Sequence, residues 1–366
     1  MDSNPILYQI SLKLIPGIGD VLIRNLISYC GGPEQVFKQS KARLEKIPGI
    51  GSHLADNIRS FKDFDRAAKE IEFIDKHQIK PVFYLDKNYP VRLKEIADAP
   101  TLLYVLGNVE LNPPKTVGIV GTRKASEYGK AFTQNLVHDL KELNCVVLSG
   151  LAFGIDVIAH KAAIDEELPT VGVLAHGLDR IYPSQHKTVA RKMLENGGLL
   201  TEFPSLTNPD RENFPKRNRI VAGMCDVLVV VETAIKGGAR ITAEIANSYN
   251  KDIMAVPGRI NDYYSEGCNY LIKENKAAMI TSSQDLFNLM GWGKKPAKQQ
   301  KSVNLFSQLS EADAQLLLFI QQKQKTGVDD MAFELNIDPG VLALKLLELE
   351  FEGYIRTLPG RYYELI

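Results

Sequence analysis

The sequence is poor in the features that mark disulfide-rich, metal-binding or membrane proteins. Its four cysteines (Cys30, Cys145, Cys225, Cys268) lie far apart and form no C-x-x-C pair. This spacing removes the case for a disulfide framework or a zinc knuckle and predicts core thiols in a reducing compartment. The β-rich apolar stretches, such as 227–231, are too short to cross a bilayer, and no basic-then-apolar leader opens the chain. We expect a cytoplasmic protein with no membrane contact.

The chain also lacks an excess of charge of either sign. Forty-four Lys and Arg balance forty-four Asp and Glu in 366 residues, so no overall basic field attracts nucleic acid, and any polyanion site must be local. Hydrophobic content of 45% and charged content of 24% are typical of folded globular chains. The length predicts two or three domains.

Nucleotide-binding fingerprints are absent as well. No G-x-G-x-x-G occurs, and no G-x-x-x-x-G-K is followed by Ser or Thr. Neither a dinucleotide cradle nor a P-loop is therefore supported, and we expect no cofactor and no ATP hydrolysis.

Residues 1–80 show helical periodicity and a repeated motif. LIPGIGDVLIRNLI (14–27) and KIPGIGSHLADNIRSF (46–61) each place Pro-Gly-apolar-Gly before a helical face. The pattern resembles tandem helix-hairpin-helix motifs, in which glycine-rich hairpins leave helix N–H groups free for a phosphate. The candidate contacts to duplex DNA are Gly17, Gly19, Gly49 and Gly51. Packing or protein contact remains an alternative use of the same hairpins.

Residues 81–291 alternate strand-like and helix-like segments. After a connector over 82–111, seven short apolar segments (116–121, 145–150, 170–175, 198–203, 226–232, 252–258, 277–281) are separated mostly by 10 to 20 residues with helical spacing. Such alternation predicts a Rossmann-like, doubly wound, mostly parallel sheet covered on both faces.

Ligands of such sheets bind at the carboxyl ends of the strands. Five predicted strands end there in loops rich in glycine, hydroxyl and basic residues: GTRKASEYG, SGLAFGID, HGLDRIYP, the run from Phe203 to Gly223, and ETAIKGGARITAE. The loops suit several consecutive phosphates, and Phe214 inside the basic run could stack on an unpaired base. This composition indicates a single-stranded nucleic acid as the ligand.

The C-terminal part divides into a linker and a small domain. Residues 292–308 hold four lysines and no acid, which predicts a mobile basic linker. Residues 309–366 follow the winged-helix order of three helices and a hairpin that turns at Pro359-Gly360. This domain carries five basic and ten acidic residues. Its charge opposes docking on duplex DNA and favours a protein-protein or autoregulatory role.

Ordered motifs connect the sheet region to a known family. GTR with a later Tyr-Gly, SGLAFGID followed by AH, GLDRIYP, LLTEFP, FPKRNRIVAG, VVET with GGARITAE, and AVPG with GCNYLI closely resemble the DNA-processing protein A family, DprA, also called Smf. The resemblance implies a homodimeric, non-catalytic protein that binds single-stranded DNA without sequence preference. It also implies protection of incoming DNA in natural transformation and loading of the RecA recombinase.

The resemblance assigns DNA contacts by motif. Arg123 is the lead phosphate contact, Phe214 the stacking ring, and Asn218 the residue that fixes its loop. The full set of implied DNA-binding residues is Gly121, Thr122, Arg123, Lys124, Gly150, Gly154, Arg211, Phe214, Lys216, Arg217, Asn218, Arg219, Gly237, Gly238 and Arg240. The chain departs from the family where SGSL is usual, because Gly238-Ala239-Arg240 replaces a hydroxyl with a charge.

Several of these residues have an alternative, purely structural role. Arg123 could form a salt bridge at the end of the sheet, one arginine of the 217–219 run could turn inward against Asp156 or Glu244, and Phe214 could belong to the core. His160, one helical turn after Asp156, invites a catalytic or metal role, but a capping or core hydrogen bond explains the pair.

An enzymatic alternative comes from a related fold. Some Rossmann-like proteins hydrolyse nucleotide N-glycosidic bonds with a Gly-Gly loop followed by a catalytic Glu, which would be Glu244 here, with Arg219 nearby. In those enzymes a threonine lies three residues after the second glycine. Ile241 takes that place in this chain, which weakens the hydrolase hypothesis.

Overall fold

The computed structural model describes residues 5–292, 310–323, 326–358 and 362–365. The chain forms two compact units, Met1–Gly293 and Lys294–Ile366. The first unit contains the helical front and the sheet together, and the second contains the small C-terminal domain. The predicted linker after Trp292 and the predicted turn at Pro359-Gly360 lie outside the described residues.

Six helices form the front of the first unit: α1 Pro5–Leu14, α2 Asp20–Cys30, α3 Pro33–Phe37, α4 Lys41–Leu44, α5 Ser52–Ser60 and α6 Phe64–Lys76. Leu12, Ile23, Leu26, Leu44 and Ile58 are fully or almost fully buried among them. The repeated motif therefore supplies a shared core as well as two hairpins, because its apolar positions recur at helical spacing.

The two hairpins pack on each other reciprocally. Gly17 and Gly49 have φ values of +82° and +84°, and a Cβ there would lie 2.9 Å from Leu54 Cδ2 and 2.7 Å from Leu22 Cδ2, respectively. In each case the leucine belongs to the opposite repeat. Asn57 donates to the Pro16 carbonyl at 3.1 Å, and Asn25 donates to the Pro48 carbonyl at 3.2 Å. These two glycines are thus required by the contact between the repeats.

A nine-stranded sheet follows, with strands β1 Lys80–Phe83, β2 Leu102–Gly107, β3 Thr116–Val120, β4 Val146–Ser149, β5 Thr170–Val173, β6 Gly197–Thr201, β7 Val227–Val230, β8 Asp252–Ala255 and β9 Ala278–Met279. Their spatial order is β1-β2-β6-β5-β4-β3-β7-β8-β9. Strands β3 to β9 are parallel, and β2 pairs antiparallel with β6 and β1. The predicted Rossmann-like sheet is confirmed, and each of the seven predicted segments coincides with a strand.

The region 82–111 differs from the connector we expected, because it contributes β2 and the second half of β1 to the sheet edge. Leu102 and Tyr104 face the core of the helical front, whereas Leu103 and Val105 face the core of the sheet. A strand apolar on both faces shows no alternation in its sequence, which explains why the pattern was not distinctive. This shared strand joins the front to the sheet.

Eight helices complete the first unit: α7 Val91–Lys94, α8 Glu127–Leu140, α9 Ile155–Asp165, α10 Lys187–Met193, α11 Asn213–Met224, α12 Gly238–Ser248, α13 Glu266–Lys273 and α14 Ser283–Met290. Separate apolar clusters pack on the two faces of the sheet. The chain runs outward from β3 through β4 and β5 to β6, then returns to the other side of β3 as β7. The order reverses between β3 and β7, where doubly wound sheets open a ligand crevice.

The second unit has the winged-helix order. It comprises α15 Glu311–Lys323, β10 Thr326–Gly327, α16 Val328–Leu335, α17 Pro339–Phe351, β11 Ile355–Leu358 and β12 Tyr362–Leu365. The Asp338 carboxylate caps α17 by accepting from the Gly340 and Val341 N–H groups. Leu316, Leu342 and Ile355 are fully buried in its core. In the described parts of the chain, no helix combines the length and apolar character that a membrane crossing requires.

Candidate nucleic-acid interface

A pocket of about 380 Å³ opens where the strand order reverses. We call it the central pocket. Loops that follow β3, β4 and β7 meet there with the first turns of α11 and α12. Of the predicted DNA-binding residues, ten line it: Gly121, Thr122, Arg123, Lys124, Gly150, Phe214, Arg217, Asn218, Gly237 and Gly238.

The loop after β3 supplies the exposed cations of one wall. Thr122 Oγ1 accepts from the Lys124 N–H at 3.1 Å, which fixes the turn. Both Arg123 and Lys124 have exposed side chains. The Arg123 guanidinium lies over the Phe214 ring, 5.5 Å from its centroid, in cation-π geometry. A charge and an aromatic face are thereby held side by side at the mouth of the pocket.

Helix α11 carries the aromatic side of the pocket. Phe214 is half-buried, and its ring centroid lies 6.3 Å from that of Tyr182 at an interplanar angle of 60°. Lys216 is exposed on the same helix, and Arg211 is exposed just before it. Neither of these two cations lines the central pocket itself.

Arg217 turns inward and is only 5% exposed. Its Nη1 donates to the carbonyls of Gly150 and Val173, and its Nε donates to Asn218 Oδ1 at 3.1 Å. The buried Asp156 carboxylate accepts from the Gly150 and Ala152 N–H groups. Burial raises the pKa of Asp156, and the Arg217 charge opposes that rise. Arg217 therefore braces the loop after β4 from the pocket floor.

Glycine is required in that loop for packing. A Cβ on residue 150 would lie 2.0 Å from Arg217 Nη1. Gly154 has a φ of +76°, and a Cβ there would lie 2.1 Å from the Thr122 carbonyl oxygen. The two glycines let the loops after β3 and β4 approach each other and the arginine. Gly154 lies behind the pocket lining.

The wall opposite Arg123 is the start of α12. Gly237 precedes this helix and provides no side-chain cap. A Cβ on Gly238 would have no neighbouring heavy atom within 4 Å. Gly237, Gly238 and Ala239 of this helix start line the pocket beside the exposed Lys236. An uncapped helix start favours an anionic oxygen through its N–H groups and its dipole.

Arg240 lies outside the pocket lining. It donates to the Ile235 carbonyl, lies 4.9 Å from the Tyr270 ring centroid, and approaches Glu244 to 3.6 Å. Thr233 and Thr242 line the pocket, and their hydroxyl groups donate to the Ala234 and Gly238 carbonyls. The replacement of SGSL by GGAR therefore adds no charge to the pocket lining, because Arg240 lies outside it.

Arg219 also lies apart from the pocket, in a buried ionic cluster between the helical front and α11. We name Lys13, Asp20, Glu202 and Arg219 the junction cluster. Arg219 contacts the carboxylates of Asp20 and Glu202, and Lys13 lies 2.8 Å from Asp20 and 3.7 Å from Glu202. Burial raises the pKa of Glu202 although Lys13 and Arg219 oppose the rise. Arg219 therefore ties the first hairpin to the sheet.

The two hairpins differ in accessibility. Gly19 and Gly51 precede α2 and α5 without a side-chain cap. In the first hairpin the half-buried Asp20 begins α2 and accepts from the Thr101 N–H at 2.8 Å. In the second, Ser52 holds the corresponding position and is exposed, whereas Gly19 and Gly51 are exposed in both hairpins. The first helix start therefore docks on the sheet edge, and the second faces outward.

Residues that the sequence did not single out complete the pocket. Tyr263 and Tyr264 come from the loop after β8, and Tyr263 is 60% exposed. Both residues lie between the AVPG and GCNYLI motifs, in a loop to which the sequence analysis gave no role. Its position after the carboxyl end of β8, next to β7, was the available signal, because neighbouring parallel strands deliver their loops to one edge.

A catalytic or metal site finds little support. His160 Nδ1 lies 2.7 Å from Thr170 Oγ1 in the core, and burial lowers the pKa of His160 to about 3. Glu244 does not line the pocket and is paired with Lys276 at 2.9 Å. Across the described residues, no group of three or more His, Cys, Asp or Glu could hold a metal ion. The N-glycosidic hydrolase alternative is not favoured.

Comparison with known families agrees with this architecture. A profile described as "DNA recombination-mediator protein A" matches residues 80–291, which include all nine strands of the sheet in the first unit. A profile for a "SAM-like Helix-hairpin-helix tandem" matches residues 10–61, and one for the "DprA winged helix domain" matches residues 302–361. The profiles match the three parts of the chain in order.

Individual relatives agree as well. The chain is 31% identical to the "Putative DNA processing protein DprA" of Mycobacterium tuberculosis, over 86% of this chain and 84% of that protein. It is similar to the X-ray structure of DprA from Streptococcus pneumoniae, with 30% identity, a TM-score of 0.66, and coverage of 77% and 97% of the two chains. A Helicobacter pylori DprA structure, described by its single-stranded DNA binding mode, has 30% identity, a TM-score of 0.53, and coverage of 58% and 95%. The chain therefore belongs to the DNA recombination-mediator protein A family, DprA.

Proposed function

We propose that the central pocket binds single-stranded DNA without sequence preference and without catalysis. The observation that carries this proposal is the Arg123 guanidinium stacked over the Phe214 ring, opposite the uncapped start of α12. This arrangement offers cationic and N–H donors for phosphates beside a ring for bases. The Helicobacter pylori relative, described by its single-stranded DNA binding mode, supports the same ligand.

The pocket can hold phosphate and base at once. Arg123, Lys124 and Lys236 place positive charge around the opening, and the first N–H groups of α12 add donors without side-chain charge. The half-buried Phe214 presents a face on which any unpaired base can stack. A duplex would keep its bases paired and away from this ring, so we expect a preference for single strands.

The cellular role and the protein partners are proposed from membership of the DprA family. We propose that the protein acts in the cytoplasm, protects incoming DNA during natural transformation, and presents the strand to RecA. A homodimer would place two central pockets on one strand and raise the avidity of binding. The outward-facing second hairpin could add a contact to duplex DNA, and the acidic winged-helix domain suits a protein partner.

Fluorescence anisotropy of labelled single- and double-stranded oligonucleotides, over a range of salt, tests the binding proposal. Arg123→Ala should weaken single-strand binding and reduce the slope of log affinity against log salt by about 0.7, the value for one lost phosphate contact. Phe214→Ala should weaken binding by about 1 kcal/mol or more with little change in slope, because stacking releases no counterion. Lys69→Ala on α6 removes one exposed charge elsewhere and is the control.

Two results would argue against this assignment. Equal affinity of Arg123→Ala and Lys69→Ala would move the DNA contacts away from the central pocket. A preference for duplex that survives Phe214→Ala would move them to the second hairpin. Incubation with nucleoside monophosphates should release no free base, and release of base would support the hydrolase alternative.

A further inference from the structure

A smaller cleft continues from one side of the central pocket. It encloses about 60 Å³ and shares Arg123, Phe214 and Arg217 with that pocket. Its far side is formed by Phe153, from the loop after β4, and Tyr182, from the loop after β5. A chain that leaves the central pocket in this direction must therefore pass two further aromatic rings.

Both rings are open to solvent. Phe153 is 41% exposed and Tyr182 is 45% exposed. Tyr182 packs edge-on against Phe214, and Phe153 packs edge-on against His186, with ring centroids 4.9 Å apart at 72°. His186 is itself fixed, because its Nδ1 lies 2.8 Å from the Leu151 carbonyl oxygen. The rings are thus held by neighbours at their edges while part of their surface remains free to stack.

A groove of about 340 Å³ begins beyond His186, between α9 and α10. We call it the side groove. Lys161 from α9 and Lys192 from α10 line it, together with Thr188 and one acid, Asp165. Both lysines are exposed, and neither forms an ion pair with any residue that the structure describes. Their charges are therefore available to a polyanion.

We propose that a single strand bound in the central pocket extends past Tyr182 and Phe153 into the side groove. A second base stacks on Phe153, and phosphates farther along the strand lie near Lys161 and Lys192. The chemistry is that of the central pocket, stacking and phosphate contact, and it is equally tolerant of sequence. This inference rests on the proposed function and adds the direction in which the strand leaves the site.

The dependence of affinity on oligonucleotide length tests the path. We compare oligothymidylates of about 4 and about 15 nucleotides, since only the longer can reach the side groove from the central pocket. Lys161→Ala/Lys192→Ala should leave the short oligonucleotide unaffected and weaken the long one severalfold. For this double variant, the slope of log affinity against log salt on the long oligonucleotide should fall by about 1.4, because two phosphate contacts to a single strand are lost. Lys69→Ala/Lys76→Ala removes the same charge from exposed positions on α6 and is the matched control.

The results that would contradict the path differ from the result that would contradict the proposed function. If the Lys161/Lys192 variant matches the control pair on the long oligonucleotide, or weakens both lengths equally, the path is wrong while the central pocket stands. If the unaltered protein binds neither length, the proposed function fails with it.

Phe153 provides an independent check on the stacking step. Phe153→Ala should weaken the long oligonucleotide about fivefold or more, the size expected for one lost stacked base, with an unchanged salt slope. Phe153→Tyr keeps an aromatic face and should restore the affinity. Equal loss in both variants, or no loss in Phe153→Ala, would overturn the stacking role.

Discussion

The Arg217 guanidinium occupies the space in which a side chain on Gly150 would begin, because a Cβ there would lie 2.0 Å from Arg217 Nη1. The same arginine donates to the Gly150 carbonyl. The loop after β4 and the floor of the central pocket are therefore one packed arrangement, in which a buried cation replaces a side chain.

Gly150→Ala should destabilise the sheet-bearing unit by about 1–3 kcal/mol, because the added methyl must displace a buried, hydrogen-bonded arginine. Urea unfolding followed by the fluorescence of Trp292, the single tryptophan, reports on this unit, since Trp292 packs on the sheet core. Gly238→Ala, where a Cβ meets open space, is the control and should be neutral or slightly stabilising. Equal stability of the two variants would contradict the packing role of Arg217.

The two glycines of the second hairpin should respond differently to alanine. Gly49→Ala combines a φ of +84° with a Cβ contact of 2.7 Å to Leu22, so we expect a loss of more than about 1 kcal/mol in unfolding free energy. Gly51 has a φ of −84° and open space around its Cβ position, so Gly51→Ala should be tolerated. Thermal unfolding measures both variants, and a destabilised Gly51→Ala would show that the hairpin packs differently.

Substitution of Arg219 should affect stability, whereas substitution of Lys216 should affect DNA binding. Arg219→Ala removes one of the two cations that pair with the Asp20 and Glu202 carboxylates and leaves Lys13, so it should lower the unfolding free energy by about 1–3 kcal/mol, with an unchanged salt slope of DNA binding in the folded protein. Lys216→Ala removes an exposed charge beside the pocket. The unfolding free energy should not change, and the slope of log affinity against log salt should fall by up to about 0.7. Anisotropy and urea unfolding on both variants give the comparison, and a reduced slope in Arg219→Ala would place this arginine on DNA.

The junction cluster should make stability depend on pH in the acid range. Burial raises the pKa of Asp20, but Lys13, the Thr101 N–H and Arg219 outweigh it, so the folded-state pKa lies below the ordinary value of 3.8. A lowered carboxyl pKa contributes stability that is present above the unfolded-state pKa and lost as the pH falls through the folded-state value. Asp20→Asn should therefore be much less stable than the unaltered chain at pH 7, and the difference should shrink below about pH 4. Urea unfolding at several pH values measures it, and a constant difference would show that the Asp20 charge is not stabilising.

The C-terminal unit should be dispensable for single-strand binding. Its described core is separate from that of the sheet, and residues 309–366 carry twice as many acidic as basic residues. A chain ending at residue 308 should bind single-stranded DNA within about twofold of the full chain or slightly more tightly. A chain ending at residue 292 also removes the four lysines of the linker and measures their contribution. A large loss on ending at residue 308 would assign the C-terminal unit to DNA.

Local patterns in the sequence were sufficient for most elements and their order, but not for β1 and β2 at the sheet edge. Apolar segments such as 227–231, separated by segments with helical spacing, predicted a parallel sheet. The loops at the carboxyl ends of those strands could be gathered at one edge, because parallel strands deliver their loops there. That reasoning predicted that Arg123, Phe214 and Gly237 lie at the same edge of the sheet, and all three line the central pocket. It did not find Tyr263, whose loop follows an apolar segment that resembles ordinary core.

The sequence by itself determined the fold, the family and the edge of the sheet that carries the site, because periodicity and glycine-rich loop composition are local properties. Only the tertiary structure decided the use of each cation in that region. Within one short run of α11, Lys216 faces solvent, Arg217 is buried against carbonyls, and Arg219 joins a carboxylate cluster with the helical front. Neighbouring helix positions project about 100° apart, so residues of one motif meet different partners, and those partners come from chain segments up to 199 residues away.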